Sequence, residues 1–344
     1  MQPLVLDPSS AADLADAPGL VICEVIRQDG KRLFDKGYTI TPGDRDRLAT
    51  VSRPIHVVRL DAEDVHENEA AIRLGRAMSG QGIEQRPPVQ SRVNLRAAYK
   101  GLLRVDAAKV QAMNSHLGVA VFTLIDRIPV LPGKNVGGAK ITPVAIPEAT
   151  LSAAEAVAAG SPVIEVKPFL SHKVGVIGTD GVQGAMQARF QETVRRKLAW
   201  YDSEPLGFLD LPPDSDAIAG AVRNFRNQGA TLILAAGGNT IDPLDPTLNA
   251  LPELGAEIIS FGAPAHPGSM FWLAQMDDVP IVNLASCSMY SKATIADLVL
   301  PWIMAGECVT KADMAALGYG GLLDRDMAFR FPPYDAESTD EPAE

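Results

Sequence analysis

The chain of 344 residues has little cysteine and less basic than acidic charge. Its three cysteines, Cys23, Cys287 and Cys308, are widely separated and odd in number, which excludes a disulfide framework and a paired-cysteine metal motif. Lys and Arg total 31 against 42 Asp and Glu, so the net charge of −11 would repel nucleic-acid phosphates and anionic lipids. We therefore expect reduced thiols and no nucleic-acid or membrane partner. A local basic pocket for one small anion remains compatible with this overall charge.

Targeting signals and long apolar runs are also missing. The start, MQPLVLDPSSAADLADAP, has no basic segment followed by an apolar run, so it does not predict a secretory signal. The longest apolar stretches, such as IADLVLPWIMAG, are far shorter than the roughly 20 residues that span a bilayer. We expect a cytoplasmic protein. With 47% hydrophobic and 21% charged residues, the composition is that of a globular chain with two or three folding units.

The pattern along the chain predicts four parts. Residues 1–62 alternate short apolar runs with turn signals, which predicts a small α+β unit with one helix near 43–50. Residues 63–165 begin with an acid-capped helix, continue over 92–147 as short strands typical of a β-barrel or β-sandwich, and end in an Ala-rich connecting helix. Residues 166–310 form the largest part, and residues 311–344 are a C-terminal extension with a frayed acidic tail.

The third part predicts an α/β fold. Near-continuous apolar strands such as KVGVIG and ATLILAAGG alternate with amphipathic helices such as MQARFQETVRRKLAWY. This alternation is typical of a parallel sheet covered on both faces. We expect a doubly wound, mostly parallel, three-layer sheet preceded by smaller β-rich modules, with the parallel domain spanning residues 171 to 308.

The clearest candidate site follows a buried strand in the segment LILAAGGNTIDPLDP. Gly237 and Gly238 come first and are followed by Asn239 and Thr240. Paired glycines let a backbone approach a ligand, and free amides there can hold phosphate oxygens. The pair that follows, Asp242 and Asp245, can hold Mg²⁺ against those oxygens. The alternative is an ordinary turn in which Thr240 or one of the two aspartates caps the next helix.

Other strand ends have a similar composition. VIGTDGVQG carries Asp180, either in a phosphate-approach loop or in an ordinary turn. The remaining candidates lie in two more loops, GAPAHPGSM with Pro267, Gly268 and Ser269, and NLASCSMYSK with Ser286, Cys287 and Ser288. A hydroxyl-rich loop leading into a helix can bind an anion, although helix capping explains the serines equally well.

Standard catalytic and metal motifs are missing. The chain has no HExxH, no Walker A sequence and no GxSxG. Its five histidines are scattered, so none has a partner at metal-ligand spacing. Cys287 has no histidine partner that the sequence identifies, which leaves its use as a nucleophile unsupported.

Several ordered segments together resemble a known family. LILAAGGNTIDPLD, ISFGAPAHPGSMFWLA, PIVNLASCSMYSKATIADLVLP and AGECVTKADMAALGYGGL are similar to the molybdopterin-binding fold of the molybdopterin molybdotransferases, in particular a MoeA-like branch. The upstream segments VHENEAA and RVNLRAAYKGLLRVD are similar to the same branch. The resemblance covers most of residues 65 to 322.

This resemblance implies molybdenum cofactor assembly, with molybdopterin or adenylyl-molybdopterin as the ligand, possible use of Mg²⁺, and a homodimer. The family's GGxSxGxxD pattern falls on Gly237, Gly238, Thr240 and Asp245, with Asp242 in place of the later glycine. Its loop acid falls on Asp180, so Asp245 and Asp180 are the candidate catalytic residues, with Asp245 and Asp242 as metal ligands. The family's other two loops fall on Pro267–Met270 and Leu284–Ser288.

The chain also departs from this pattern. Ala285 and Ser286 stand where the family has Pro-Gly, and Ser269 stands where a lysine is usual. Loss of a cation and of a tight turn weakens charge compensation and backbone approach at a phosphate. Two functions therefore remain open: a protein that binds molybdopterin or its nucleotide and delivers it to a molybdenum enzyme, and an active Mg²⁺-dependent molybdotransferase. A third, an assembly partner that keeps only the fold, is weaker.

Overall fold

A computed structural model of the chain describes residues 1–89, 91–179, 184–284 and 294–334. The backbone divides into two compact units. Unit 1 comprises Met1–Tyr99, Leu103–Asp126 and Pro132–Val166, and unit 2 comprises Lys100–Leu102, Arg127–Leu131 and Lys167–Glu344. The finer division into four parts stays a prediction.

The first half of the chain, up to residue 168, is rich in short strands. Its strands are β1 Gln2–Leu6, β2 Val21–Ile22, β3 Ile26–Gln28, β4 Lys31–Phe34, β5 Ile55–Arg59, β6 Asp64–His66, β7 Ile83–Gln85, β8 Val93–Ala97, β9 Gly101–Val105, β10 Val119–Thr123, β11 Ile128–Val130, β12 Asn135–Ile141, β13 Ala145–Pro147 and β14 Ile164–Pro168. Its helices are α1 Ala11–Asp16, a 3₁₀ turn Pro42–Asp44, α2 Arg45–Ala49, α3 Glu67–Met78, α4 Ala107–Asn114 and α5 Glu148–Ala156. The chain passes between the two units within β9 and β14.

Unit 1 contains antiparallel sheets with the strand orders β1-β5-β2, β10-β12-β8-β7, β13-β6 and β3-β4. The helices predicted near 43–50, after the acidic segment and after residue 148 are confirmed as α2, α3 and α5. The expectation of strands and turns alone over 92–147 is wrong, because α4 lies within it. Asp106 is the N-cap of α4 and accepts a hydrogen bond from the Lys109 amide at 3.0 Å.

The rest of the chain, from residue 169 on, alternates strands and helices. The strands are β15 Lys173–Gly178, β16 Glu204–Asp210, β17 Leu232–Ala236, β18 Glu257–Phe261, β19 Trp272–Met276 and β20 Val279–Asn283. The helices are α6 Ala185–Trp200, α7 Ser215–Asn227, α8 Pro246–Glu253, α9 Ile295–Met304, α10 Lys311–Ala316 and a 3₁₀ segment Arg325–Arg330. None of the helices in the described ranges has both the length and the apolar character needed to span a bilayer.

The sheet of unit 2 is mixed and mostly parallel. Its strand order is β16-β15-β17-β20-β19-β18, in which the first four strands are parallel and the last two join antiparallel. The parallel centre agrees with the sequence, whereas strand β19, WLAQM, was not expected. β18 differs from the buried parallel strands because three of its five residues are exposed. It forms an edge of the sheet.

Alternate side chains of the central strands enter two separate apolar clusters. Leu232 and Leu234 pack in the cluster that contains Val194 of α6 and Val299 of α9. The residue between them, Ile233, packs in the cluster formed with α7 and α8. Successive residues of a strand point to opposite faces, so the two clusters lie on opposite faces of this strand.

The C-terminal segment corrects one expectation. Phe331 and Tyr334 are only 6% and 7% exposed and belong to the core of unit 2, so the chain is not frayed before residue 335. Residues 335–344 lie outside the described part. Cys23 and Cys308 are free thiols, and Cys287 also lies outside the described residues.

Candidate functional site

The candidate site lies at the carboxyl edge of the four parallel strands. In open α/β sheets this edge is the usual place for ligands. Thr179, which follows β15, donates its amide to Ala236 of β17 at 2.9 Å, and Leu284, after β20, donates to Ala235 at 2.8 Å. The ends of β15, β17 and β20 therefore stay hydrogen-bonded, and the loops that follow begin from fixed positions.

The Gly237–Gly238 turn packs against an indole ring. The two glycines have φ angles of 143° and 88°, which side-chain-bearing residues rarely adopt. Trp272 is fully buried and donates its Nε1–H to the Gly238 carbonyl at 3.2 Å. A Cβ atom on Gly238 would lie 2.9 Å from Trp272 Cε2. Packing against Trp272 is therefore one reason for glycine at position 238, independent of any ligand.

Asn283 supports the other end of this turn. It is the last residue of β20, is 1% exposed, and donates its Nδ2–H to the Gly237 carbonyl at 2.5 Å. Its Oδ1 is buried and has no hydrogen-bond partner within the described residues. A buried polar atom normally has a hydrogen-bond partner. This oxygen can therefore accept a hydrogen bond from a ligand bound beside the glycine turn.

Asp245 is the N-cap of α8 and is 9% exposed. Its Oδ1 accepts the amides of Thr247 at 2.8 Å and Leu248 at 3.1 Å, and its Oδ2 accepts the amide of Asn239 at 2.7 Å. The carboxylate thus closes the loop after the glycines and caps the helix. Helix capping, one of the two alternatives left by the sequence, is present, while the metal role of Asp245 stays a prediction.

The loop between the glycines and α8 is held by its own polar side chains. Asn239 Oδ1 accepts the Ile241 amide at 3.1 Å, and Asp242 Oδ1 accepts the Leu244 amide at 2.9 Å. These are Asx turns. Thr240 is half-buried, whereas Ile241 and Leu244 are 76% and 79% exposed. The predicted residues Gly237, Gly238, Asn239, Thr240, Asp242 and Asp245 therefore share one loop.

The second predicted loop, between β18 and β19, contains Pro267, Gly268 and Ser269. A Cβ atom on Gly268 would lie 2.7 Å from Ile295 Cγ2, so this loop packs on the first residue of α9. The Ser269 carbonyl accepts a hydrogen bond from the Ala263 amide at 2.9 Å, and Ser269 is exposed. The other predicted residues, Asp180, Ser286, Cys287 and Ser288, lie outside the described residues.

The start of α9 is fixed by a buried polar cluster. Asp297 accepts the Thr294 amide at 3.1 Å and its hydroxyl at 2.9 Å. It also accepts Lys197 Nζ of α6 at 2.6 Å and the Tyr334 hydroxyl at 2.8 Å. Burial, followed by the charge of Asp297, raises the pKa of Tyr334, so Tyr334 remains a neutral donor. This cluster anchors the helix that follows the segment of Ser286 and Ser288.

Sequence reasoning missed several residues of this edge. Asn283 interrupts an otherwise apolar strand, PIVN, and that interruption is a signal for a specific buried role. Asp210 ends β16 and accepts a hydrogen bond from Gln187 of α6. Trp272 gives no comparable signal, because its partner Gly238 is distant in sequence. Within the described ranges, no group of three or more His, Cys, Asp or Glu residues is placed to hold a metal ion.

No protein-family profile and no curated protein sequence matches the chain. Among solved structures, it is similar to the molybdopterin biosynthesis MoeA protein from Pyrococcus horikosii, with 14% identity over 71% of this chain and 74% of that one and a TM-score of 0.31. It is also similar to the molybdopterin biosynthesis Mog protein from Mycobacterium ulcerans (17% identity, 39% of this chain, 95% of that chain, TM-score 0.32). A third similar structure is a putative molybdenum cofactor biosynthesis protein from Corynebacterium diphtheriae (18% identity, 39% of this chain, 94% of that chain, TM-score 0.28).

Two of these structures are described as molybdopterin biosynthesis proteins, and the third as a putative molybdenum cofactor biosynthesis protein. At such identities and TM-scores the likeness assigns no activity, ligand or family to this chain.

Proposed function

We propose that this chain binds molybdopterin or a molybdopterin nucleotide at the carboxyl edge of the unit 2 sheet and acts in molybdenum cofactor biosynthesis or delivery. The ordered sequence segments that resemble the molybdotransferases support this proposal, and two of them contain the loops at this edge. The alternation of strands and helices supports a doubly wound, three-layer arrangement of unit 2, and the same resemblance supports a homodimer. The proposal also includes a cytoplasmic location and a molybdenum enzyme as the recipient.

The observation that carries the proposal is the Asn283 carboxamide. Its Oδ1 is a buried acceptor with no partner in the described part of the chain, and it belongs to the side chain that holds Gly237. A pterin ring carries N–H donors, and a hydrogen bond to an otherwise unsatisfied buried acceptor contributes to affinity. In this proposal Asn283 positions the glycine turn through Nδ2 and offers Oδ1 to the ligand.

The second candidate function is the Mg²⁺-dependent molybdotransferase. Bound Mg²⁺ would supply charge neutralisation at a phosphoanhydride. Asp245 fits such an ion poorly, because both of its carboxylate oxygens already accept backbone amides. Asp242 is exposed and uses only Oδ1, so Asp242 fits better as one ligand beside phosphate oxygens. Binding and delivery is therefore the better-supported function.

The test begins with the full chain purified gently and analysed for bound pterin, by fluorescence after acid oxidation and by mass. We expect copurifying pterin, and molybdopterin binding tighter than AMP binding. A chain that retains no pterin and does not bind added molybdopterin contradicts the proposal. Equal affinity for AMP indicates a generic nucleotide site instead.

Variants then locate the site. Asn283→Leu should weaken pterin binding by about tenfold, as expected for one lost hydrogen bond to a buried group. Asn249→Leu, at an exposed position of α8, is the matched control and should bind as the wild type does. Turnover with molybdate and Mg²⁺ separates the two functions: binding without turnover supports a carrier, and turnover supports the transferase.

A further inference from the structure

Unit 1 contains a polar pocket of about 730 Å³ that the proposed function does not use. Its walls come from β4 and the segment 35–39 that follows it, from the start of α3, and from β12. The charged lining residues are three cations and two carboxylates: Arg32, Lys36, Lys140, Asp35 and Glu67. This gives the pocket a net charge of +1 within a chain of net charge −11. We call it the basic pocket.

Two of the three cations are held in place by carboxylates. Arg32 pairs with Asp35 at 2.8 Å, and Lys36 Nζ lies 2.8 Å from Glu67 Oε2. Glu67 is 2% exposed, and Lys36 is the only partner of its carboxylate among the described residues. An ammonium group has three donors, so Lys36 keeps donors for a ligand while Glu67 fixes its position.

The fold is shaped around this buried carboxylate. Gly37 has a φ of +78°, and a Cβ atom there would lie 2.9 Å from Glu67 Cδ. His66 accepts the Asn68 amide on Nδ1 at 3.3 Å, so its Nε2 carries the proton and donates to the Gly37 carbonyl at 2.8 Å. One nitrogen of His66 thus caps the start of α3, and the other joins it to the segment that carries Lys36.

Lys140 is the third cation and differs from the other two. It lies on β12 and is half-buried, and its side chain makes no ion pair or hydrogen bond with any residue of the described ranges. A half-buried lysine without a counter-ion is unfavourable, and an anion in the pocket would supply that counter-ion. The positive end of the α3 dipole lies in the pocket wall at Glu67 and Asn68, and it also favours a negatively charged ligand.

We propose that the basic pocket binds a small phosphate-bearing molecule, with Lys140, Lys36 and Arg32 contacting the phosphate oxygens. Three side chains that carry N–H donors suit a group with three acceptor oxygens better than they suit a carboxylate with two. The volume is in the range of small-molecule sites and exceeds what one phosphate fills, which favours a phosphate ester over the free ion. Every lining residue belongs to unit 1, whereas the residues of the proposed pterin site belong to unit 2.

The test is calorimetric titration of the full chain with inorganic phosphate and with ribose 5-phosphate, at a chloride concentration that fixes the ionic strength. We expect saturable binding of both, tighter for the ester. Equal affinities would identify the free oxyanion as the ligand, since the sugar then contributes nothing. Absence of saturable binding for both probes overturns the proposal.

Lys140→Gln should weaken phosphate binding by about fivefold, equivalent to about 1 kcal/mol. Lys31→Gln removes the same charge from an exposed lysine of β4 that does not line the pocket, and it should change the affinity less than about twofold. Lys140→Arg keeps the charge and should retain binding, which separates loss of the cation from loss of the fold. Wild-type affinity in Lys140→Gln refutes the assignment.

Discussion

Replacing Gly238 with alanine measures how strongly the indole of Trp272 constrains the candidate site. The backbone at Gly238 has a φ of +88°, and the new Cβ atom would meet a fully buried indole. Gly229 provides a matched control, because its φ is +87° and nothing lies within 4 Å of its Cβ position. Both substitutions put alanine in the left-handed region, but only one adds a clash.

The two costs can be estimated separately. The left-handed conformation costs alanine about 1–2 kcal/mol at either position. Overpacking against a ring that cannot leave the core adds about 1–3 kcal/mol. The hydrogen bond from Trp272 Nε1 to the Gly238 carbonyl, about 1 kcal/mol, is lost if the ring moves. We therefore expect Gly238→Ala to lower the free energy of unfolding by about 2–3 kcal/mol more than Gly229→Ala does.

Urea unfolding followed by tryptophan fluorescence suits this comparison. The chain has three tryptophans, and all of them lie in unit 2 with both glycines: Trp200, Trp272 and Trp302. With a slope of about 2 kcal/mol per molar urea, the expected difference separates the two midpoints by about 1 M. Equal midpoints at unchanged slopes would refute the inference that packing against Trp272 requires glycine at position 238.

Three further predictions concern capping and pH. Asp245→Ala should lower the free energy of unfolding of unit 2 in urea by about 1–2 kcal/mol, because three backbone amides lose their acceptor. The loss should exceed that of the control Asp214→Ala, which removes one hydrogen bond from an exposed cap of α7. Equal losses contradict the assigned cap. Burial lowers the pKa of His172. Stability should therefore fall as the pH drops below 6.5, because the unfolded histidine then binds a proton that the folded one does not. His172→Gln should flatten this pH dependence. Hydrogen bonds from Arg73 and, to a smaller extent, from Ser152 lower the pKa of Glu148 to about 2. The contribution of Glu148 to folding stability should therefore be lost as the pH falls from 4.5 toward 2. Glu148→Gln should remove this acid sensitivity in circular dichroism melts.

Local pattern was sufficient for much of the fold. The run LILAA has no polar residue, and the structure places it as a buried central strand, β17. The acids before Ala70 predicted the start of α3, where Glu67 and Glu69 occupy the first turn. By contrast, α4 was missed because its apolar face is short, although Asp106 is a standard N-cap.

Long-range partners were not predictable in the same way. Phe331 and Tyr334 lie in a Pro-containing segment that ends in acids. Tyr334 is buried by contacts with residues distant in sequence, such as Lys197 and Asp297. The antiparallel position of β19 likewise depends on which strand it pairs with, and this pairing is not encoded in its five residues.

The sequence by itself determined the alternation of strands and helices, the position of the glycine turn, and the loop that carries Asp242 and Asp245, because these depend on neighbours within a few residues. Only the tertiary structure decided that Asn283 holds Gly237 and that Trp272 lies against Gly238. The same holds for the basic pocket, where Lys36 and Lys140 are far apart in sequence. Hydrogen bonds and packing act over a few ångströms, so the role of each side chain is set by which distant segments the fold brings within that range.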